Sequence, residues 1–258
     1  MATSLMKTYC TSNKIVIEWS RGFGNNLFQY NYARNLNPKG DRIYSHYKNG
    51  WQCFNNLVEL GFLEENKAPK IKESSKSDQL IQWNSRTFFK PNLFNNSPKN
   101  FFKKIEVSNH NDLILHLRLG DDWLRKGRVL SPEIYIDLID SIDFEKLYIV
   151  TDIHNSDFLK NFKKYNHKVI STETRPSDLK TGTWTYDNKE TTVSDFNLIR
   201  TFDKIIYSPQ STYGFWACLL SDAKEIYCLE KLIKSKQDSI LNIINKNSEL
   251  FKSWKLIN

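Results

Sequence analysis

The 258-residue sequence predicts an α/β protein built on a parallel, doubly wound sheet. Short apolar runs alternate with helix-like segments from residue 112 to residue 228. This alternation is typical of strand–helix–strand units in parallel sheets. A glycine turn between an apolar run and a helix-like segment, at residues 20–30, has the same organisation. Polar side chains also directly follow several of the apolar runs, as expected where strands end at a ligand-binding edge.

The amino-terminal part begins with one strand–turn–helix unit. Residues 15–19 (IVIEW) are typical of a buried strand, and residues 25–36 predict a helix that ends at the Asn-Pro-Lys-Gly turn of residues 37–40. Residues 42–45 predict a second strand. Residues 51–104 are poorly patterned and rich in turn residues, so we expect only short helices there.

The carboxy-terminal part alternates regularly between strands and helices. The predicted strands comprise residues 112–118, 146–150, 168–170, 204–207 and 225–228. The predicted helices comprise residues 155–165, 194–201 and 213–220, together with one that begins at Ser131. Ser131 stands at the N-cap of that helix and Pro132 in its first turn. Since ligands bind at the carboxyl ends of parallel strands, the residues that follow each strand are the candidates for a site.

Composition places the chain among folded proteins without a membrane span. Apolar residues make up 40% and aromatic residues 14% of the sequence, which argues against disorder. No stretch of about 18 uncharged apolar residues occurs. The first residues lack the apolar core and cleavage site of a signal peptide. We therefore expect a soluble, cytoplasmic protein.

Cysteine and histidine usage predicts no metal site. The four cysteines are scattered without CxxC spacing, and the five histidines do not cluster at the spacing of metal ligands. Free thiols in a reducing compartment are therefore expected rather than disulfides.

The formal net charge of +8 predicts an anionic partner. Lysine and arginine are spread along the chain among acidic residues, and no recognition helix, RNP motif or zinc-finger spacing occurs, so nucleic acid is the weaker hypothesis. A phosphorylated small molecule fits better, and peripheral contact with an anionic membrane surface stays open.

Residues 116–122 (HLRLGDD) follow the first strand of the carboxy-terminal part. Period-two alternation puts His116 and Arg118 on one face of that strand. A guanidinium at the end of a strand can bind a phosphate through two hydrogen bonds. A salt bridge of Arg118 with Asp121 or Asp122 inside the loop is the alternative, and the residues alone leave both open.

Three further groups occupy comparable positions. Ser211 and Thr212 precede a helix and could bind an anion, although ordinary capping needs the same residues. Asp195 is predicted at the start of a helix. There it either caps the helix or accepts hydrogen bonds from a base edge such as guanine's N1–H and amino group. Thr151 and Asp152 follow a strand and allow the same two interpretations.

The segment of residues 20–30 (SRGFGNNLFQY) does not fit either standard phosphate loop. The dinucleotide fingerprint G-x-G-x-x-G requires a third glycine at the position of Leu27. No Walker lysine follows. Taken alone, the segment predicts a tight turn between a strand and a helix.

Four segments together resemble the fucosyltransferase superfamily. RGFGNNLFQYNYAR resembles the G-x-G-N-Q-x-F-Q-Y-A segment of the α-1,2-fucosyltransferases. HLRLGDDW resembles both their H-x-R-R-G-D segment and the H-L-R-x-G segment of the protein O-fucosyltransferases. YIVTD resembles the Thr-Asp step of the same superfamily, which includes the α-1,6-fucosyltransferases. DFNLIRTFDKIIYSPQSTYGFWACLL resembles the block that ends their nucleotide site, and the four segments occur in the expected order.

The resemblance implies a GT-B fold and an enzymatic activity. Residues 1–108 would form a Rossmann-like acceptor-side domain and residues 109–258 a Rossmann-like nucleotide-sugar domain, with a cleft between them. The implied reaction is an inverting, metal-independent transfer of fucose from GDP-fucose to a glycan acceptor, with no cofactor.

The resemblance also implies roles for individual residues. Arg118 would neutralise the β-phosphate, His116 would approach guanine or ribose, and Asp195 would bind the guanine edge. Ser211 and Thr212 would hold the diphosphate. The loop around the two glycines of residues 20–30 would close over the sugar and the diphosphate. The residues implied at the nucleotide-sugar site are Gly22, Gly24, Asn25, His116, Arg118, Thr151, Asp152, Asp195, Ser211, Thr212 and Tyr213.

The sequence departs from the family pattern at two positions. Leu119 replaces the second arginine of H-x-R-R-G-D, and Asn26 replaces the usual glutamine. These departures leave open another donor, such as UDP-xylose or a different GDP-sugar, and a non-catalytic binding module of the same fold. Asp121 and Asp122 are the sequence candidates for the base that activates the acceptor.

Overall fold

The computed structural model describes residues 14–20, 23–46, 70–72, 78–82, 88–95, 97–120, 127, 129–153, 156–171, 189–207, 211–229 and 237–257. Three of the predicted site residues, Gly22, Asp121 and Asp122, lie outside these ranges.

The first of two sheets has four parallel strands in the order β3-β2-β1-β4. They are β1 (Ile15–Ile17), β2 (Ile43–His46), β3 (Lys70–Lys72) and β4 (Gln79–Ile81). Helix α1 (Phe23–Leu36) connects β1 to β2. It ends at the predicted turn, where Gly40 takes a positive φ of 79° that favours glycine.

The second sheet has six parallel strands in the order β10-β9-β8-β5-β6-β7. They are β5 (Asn109–Leu117), β6 (Leu147–Thr151), β7 (His167–Ser171), β8 (Phe202–Tyr207), β9 (Glu225–Leu229) and β10 (Trp254–Ile257). When the six strands are renumbered 1 to 6 in chain order, their order across the sheet is 3-2-1-4-5-6, which is that of the Rossmann fold. The strand order reverses between β5 and β8, and ligands of such sheets bind at that switch point.

Helices cover both faces of the second sheet. They are α2 (Pro132–Asp140), α3 (Lys189–Ile199), α4 (Thr212–Leu219) and α5 (Gln237–Lys246). Short 3₁₀ helices comprise Pro91–Phe94, Pro98–Phe101 and Asp157–Phe162.

The apolar residues of the central strands divide between two core clusters, one on each face. In β5, Leu115 and Leu117 belong to the cluster under α2, whereas Ile114 belongs to the cluster under α4 and α5. In β8, Ile206 and Ile205 are divided in the same way. Successive side chains of a strand point to opposite faces, so continuous apolar runs produce strands that are buried on both sides.

The cluster under α4 continues into the first sheet. The Phe28 ring of α1 stacks on Phe215 of α4 at 5.4 Å between centroids and meets Trp216 edge-on at 5.1 Å. Ile15 and Ile17 of β1 belong to the same cluster as Ile205 of β8. The two sheets are therefore joined by direct packing of α1 on α4, and the predicted domain boundary after residue 108 stays a prediction.

The predicted α/β class with parallel sheets is confirmed, and several element boundaries are corrected. The helix predicted at 155–165 is the 3₁₀ helix Asp157–Phe162, and α3 begins at Lys189 rather than at residue 194. Ser131 stands at the N-cap of α2 with Pro132 after it, but its side chain makes no capping hydrogen bond. Helix α5 and strands β3, β4 and β10 were not predicted. Among the helices of the described ranges, none is long and apolar enough to cross a membrane.

Candidate functional site

The candidate site lies at the carboxyl edge of the second sheet, around the switch point between β5 and β8. His116 is the second-last residue of β5 and pairs with Tyr207 of β8. Arg118 directly follows the end of β5. The first turn of α4 follows β8, and the first turn of α1 reaches the same place from the first sheet. Three segments that are far apart in the sequence thus meet here.

Asp152 organises the loop that carries Arg118. Its Oδ1 accepts hydrogen bonds from the backbone N–H of Leu119 at 2.7 Å and of Gly120 at 3.0 Å. Its Oδ2 lies 4.0 Å from Nε of Arg118. Thr151 is buried, and its hydroxyl oxygen accepts from the N–H of Ile153 at 3.3 Å, which supports the turn that presents Asp152. The acidic partner of Arg118 in the described part of the chain is therefore on the neighbouring strand.

His116 is buried beneath the first turn of α4. Its ring stacks on that of Tyr213 at 5.6 Å, and an added Cβ at Gly214 would lie only 2.6 Å from its Nδ1. Burial lowers the pKa of His116 to about 4, with Asp152 raising it and Arg118 lowering it further. The imidazole is therefore neutral near pH 7. Within the described ranges, its buried Nδ1 has no hydrogen-bond partner.

Ser211 caps helix α4, as the sequence predicted. Its Oγ accepts a hydrogen bond from the N–H of Gly214 at 3.2 Å, and its carbonyl accepts one from the Tyr207 hydroxyl at 3.3 Å. Capping and anion binding are compatible here, because the cap fixes the direction of the N–H groups at this helix end.

The first turns of α1 and α4 are in direct contact. The Thr212 hydroxyl donates to Oδ1 of Asn25 at 3.0 Å. A Cβ added at Gly24 would lie 2.4 Å from the backbone carbonyl carbon of Thr212 and from the backbone nitrogen of Tyr213. Only glycine fits at position 24, and the residue serves the close approach of the two helix ends.

Asp195 lies in the middle of α3 rather than at its start, so the capping interpretation is wrong. Its side chain is only 9% exposed, and burial raises its pKa to about 6. Burial raises the pKa of Tyr213, and the charge of Asp195 raises it further. Rings of Phe196 and Phe23 meet edge-on at 5.1 Å, and each also contacts Tyr213. The result is a carboxyl group among aromatic rings.

Two buried amides, which the sequence did not single out as site residues, support the turn between β1 and α1. Gln29 donates to the carbonyl of Glu18 at 2.7 Å and accepts from the N–H of Ser20 at 2.8 Å. Asn26 donates to the carbonyl of Ser20 at 3.3 Å. Asn26 and Gln29 therefore brace this turn together.

The structure brings most of the predicted residues to one edge. Gly24, Asn25, His116, Asp195 and the first turn of α4 form one connected group, and Arg118 with Thr151 and Asp152 forms the adjoining group. Gly214 was missed, although a glycine inside a helical segment is a known signal of close packing. Among the described residues, no group of histidine, cysteine and acidic side chains could hold a metal ion.

Comparison with known proteins gives a likeness of fold. No family model and no curated protein matches the sequence. The crystal structure of NodZ alpha-1,6-fucosyltransferase co-crystallised with GDP is similar, with a TM-score of 0.53 at 14% sequence identity over 84% of this chain and 94% of that chain. The structure of fucosyltransferase NodZ from Bradyrhizobium gives a TM-score of 0.51 at 14% identity over 84% of this chain and 95% of that chain. At this identity the likeness establishes the fold.

Proposed function

We propose that this protein is a GT-B glycosyltransferase that transfers fucose from GDP-fucose to a hydroxyl group of a glycan, with inversion at the anomeric carbon and without a metal ion. The observation that carries the proposal is the convergence of Arg118, His116, Asp195 and the first turn of α4 at the switch point of the second sheet. The fold shared with a fucosyltransferase that was co-crystallised with GDP supports the same donor.

Arg118 and the first turn of α4 would stabilise the leaving group. During transfer, the bond between C1 of the sugar and the β-phosphate oxygen breaks, and its electron pair leaves with GDP. The acceptor oxygen bonds to C1 from the opposite face, and its proton passes to a base. A permanently charged guanidinium and preorganised N–H groups offset the growing negative charge, and one such donor contributes about 3 kcal/mol to the transition state. Asp121 and Asp122 remain the sequence candidates for the base.

Asp195 favours guanine over uracil as the base of the donor. Guanine presents two adjacent donors, N1–H and the exocyclic amino group, which suit a carboxylate. Uracil presents a single N–H between two carbonyl oxygens, and these would repel the carboxylate. Of the three rings around Asp195, Phe23 and Phe196 are buried, and the partly exposed ring of Tyr213 offers apolar surface to a purine.

His116 would contribute hydrogen bonding rather than charge. Because burial lowers its pKa to about 4, its imidazole is neutral at physiological pH. A neutral imidazole can donate to or accept from a ribose hydroxyl or a guanine edge. Thr212, whose hydroxyl donates to Asn25, could instead donate to a phosphate oxygen at the junction of α1 and α4.

Thermal unfolding in the presence of nucleotides tests the proposal. GDP and GDP-fucose should raise the melting temperature, and at 100-fold excess over the dissociation constant the stabilisation is about 2.7 kcal/mol. Arg118→Ala should fold normally but lose this stabilisation and all transfer of fucose. Asp203→Asn is the matched control, because Asp203 is a buried carboxylate bonded to His110 and Lys224 at the opposite edge of the sheet.

Two results would contradict the proposal in different ways. Stabilisation by UDP or UDP-xylose alone would exclude GDP-fucose as the donor. Binding of GDP-fucose without any fucose transfer to an array of glycan acceptors would instead favour a non-catalytic module.

A further inference from the structure

We infer that Asp152 is a positioning residue that holds Arg118 and its loop in the geometry needed for the donor phosphate, and that it does not itself contact the diphosphate. The inference rests on the proposed donor site. It gives Asp152 a different role from the one implied by family resemblance.

The contacts of Asp152 point towards the protein. One carboxylate oxygen accepts from two consecutive backbone N–H groups, those of Leu119 and Gly120, and the other faces Arg118. The side chain of Asp152 is 15% exposed. Two hydrogen bonds to successive N–H groups fix the path of the backbone directly after Arg118, and the charge opposite Nε restrains the guanidinium.

Charge makes a direct contact with the diphosphate unfavourable. A carboxylate only accepts hydrogen bonds, and so do the phosphate oxygens, which carry the same sign of charge. A negative group beside a diphosphate site is therefore expected to stabilise a cationic side chain rather than the ligand. Arg118 is the described cation that faces Asp152.

Leu119 explains why Arg118 depends on such support. In the family segment a second arginine stands at this position, whereas here Leu119 is 2% exposed and belongs to the apolar cluster under α2. Its burial anchors the loop from below while Asp152 anchors the backbone from the neighbouring strand. A single arginine with many rotamers loses less conformational entropy on binding when it is already held in place.

A double-mutant cycle on GDP affinity tests the inference. The dissociation constant for GDP is measured by calorimetry for the wild type, Asp152→Asn, Arg118→Ala and the double variant. Asparagine keeps an oxygen for the two N–H groups but removes the charge opposite Arg118. We expect Asp152→Asn to weaken GDP binding about tenfold when Arg118 is present, and by less than about twofold when it is absent, a coupling in the range seen for side chains in contact.

A merely structural role would give a different result. If Asp152 bound the nucleotide or acted only through general stability, the loss would be the same in both backgrounds, and the inference would be overturned. An unchanged affinity in Asp152→Asn would overturn it as well. Failure of the wild type to bind GDP would overturn the proposed function together with this role, and is distinct from a cycle without coupling.

Two further measurements complete the test. Asp203→Asn neutralises a carboxylate away from the site whose side chain is 4% exposed, against 15% for Asp152, and should leave GDP affinity within about twofold of the wild type. If Asp152→Asn does not fold by circular dichroism, Asp152→Ser keeps one acceptor with less bulk and replaces it in the cycle. In turnover assays, Asp152→Asn should lower kcat more than it raises the KM for the donor, because the arginine contact is strongest in the transition state. Equal changes in both would contradict the positioning role.

Discussion

Gly24→Ala should separate the first turns of α1 and α4 and so damage the proposed donor site. The added Cβ would lie 2.4 Å from two backbone atoms of α4, at Thr212 and Tyr213. Ordinary carbon contacts are about 3.5–4.0 Å, so the helices would have to move apart by about 1 Å or more. Backbone atoms cannot rotate away as a flexible side chain can.

The expected cost follows from overpacking in a dense contact. Forcing extra atoms into such a contact typically destabilises a protein by about 1–3 kcal/mol. The better helix propensity of alanine offsets at most about 1 kcal/mol of this. For a chain of this length, each kcal/mol shifts the melting temperature by about 2–4 °C. GDP affinity should fall together with stability, because the first turn of α4 moves relative to His116.

Asn25→Ala is the matched control for this experiment. It removes the hydrogen bond with Thr212 but adds no atoms between the helices. Loss of one such bond costs about 0.5–1.5 kcal/mol. A Cβ placed 2.4 Å from backbone atoms lies at the severe end of overpacking, so differential scanning calorimetry should give Gly24→Ala a lower melting temperature than Asn25→Ala. A Gly24→Ala protein with the melting temperature and GDP affinity of the wild type would refute the packing argument.

Three further predictions concern pH, packing and metal ions. GDP-fucose, which has no terminal phosphate that titrates near pH 6, should bind more weakly as the pH falls through about 6, because protonation of Asp195 removes an acceptor. Asp195→Asn should abolish this pH dependence in calorimetric titrations. Burial raises the pKa of Asp195 above its unfolded value, so the free energy of unfolding should fall as the pH rises from about 4 to about 6, where the buried carboxyl loses its proton. Urea unfolding of wild type and Asp195→Asn over this pH range should show the decrease in the wild type only. Gly214→Ala should destabilise the wild type but much less the His116→Ala variant, because its Cβ would collide with the His116 ring; equal losses in both would exclude that collision. Fucose transfer should survive exhaustive treatment with EDTA, and loss of activity restored by Mn²⁺ would contradict a metal-independent mechanism.

The sequence predicted the strand ends well because they depend on local patterns. Continuous apolar runs such as that of β5 can be recognised without knowledge of their neighbours, and parallel pairing brings their carboxyl ends to one edge. Ser211 was predicted as a cap from its position between a strand and a helix, and its hydrogen bond to Gly214 agrees.

The remaining features depend on tertiary contacts that no local pattern encodes. The first turns of α3 are polar, so the start of that helix was placed five residues too late and Asp195 was taken for a cap. Strands β3 and β4 have only three residues each, and their sequences KIK and QLI resemble loop as much as strand. The pairing of Arg118 with Asp152 joins residues that directly follow the adjacent strands β5 and β6, and sequence spacing cannot reveal which strands are adjacent.

The packing of α1 on α4 argues against a hinge that opens between the two sheets to admit the donor. Phe28, Phe215 and Trp216 are fully buried at this contact. Full exposure of three aromatic side chains of about 200 Å² each, at about 25 cal/mol per Å², would cost roughly 15 kcal/mol. Phe215 keeps its contacts with Phe251 and Trp254 when α1 moves away, so the cost of separating α1 from α4 lies below this value. A nucleotide that binds with micromolar affinity supplies only about 8 kcal/mol. Separating the two sheets would therefore use up much of the binding free energy of a nucleotide. A position of Arg118 relative to α4 that is already built into the folded chain avoids this cost, and the hydrogen bonds of Asp152 provide one means of holding it.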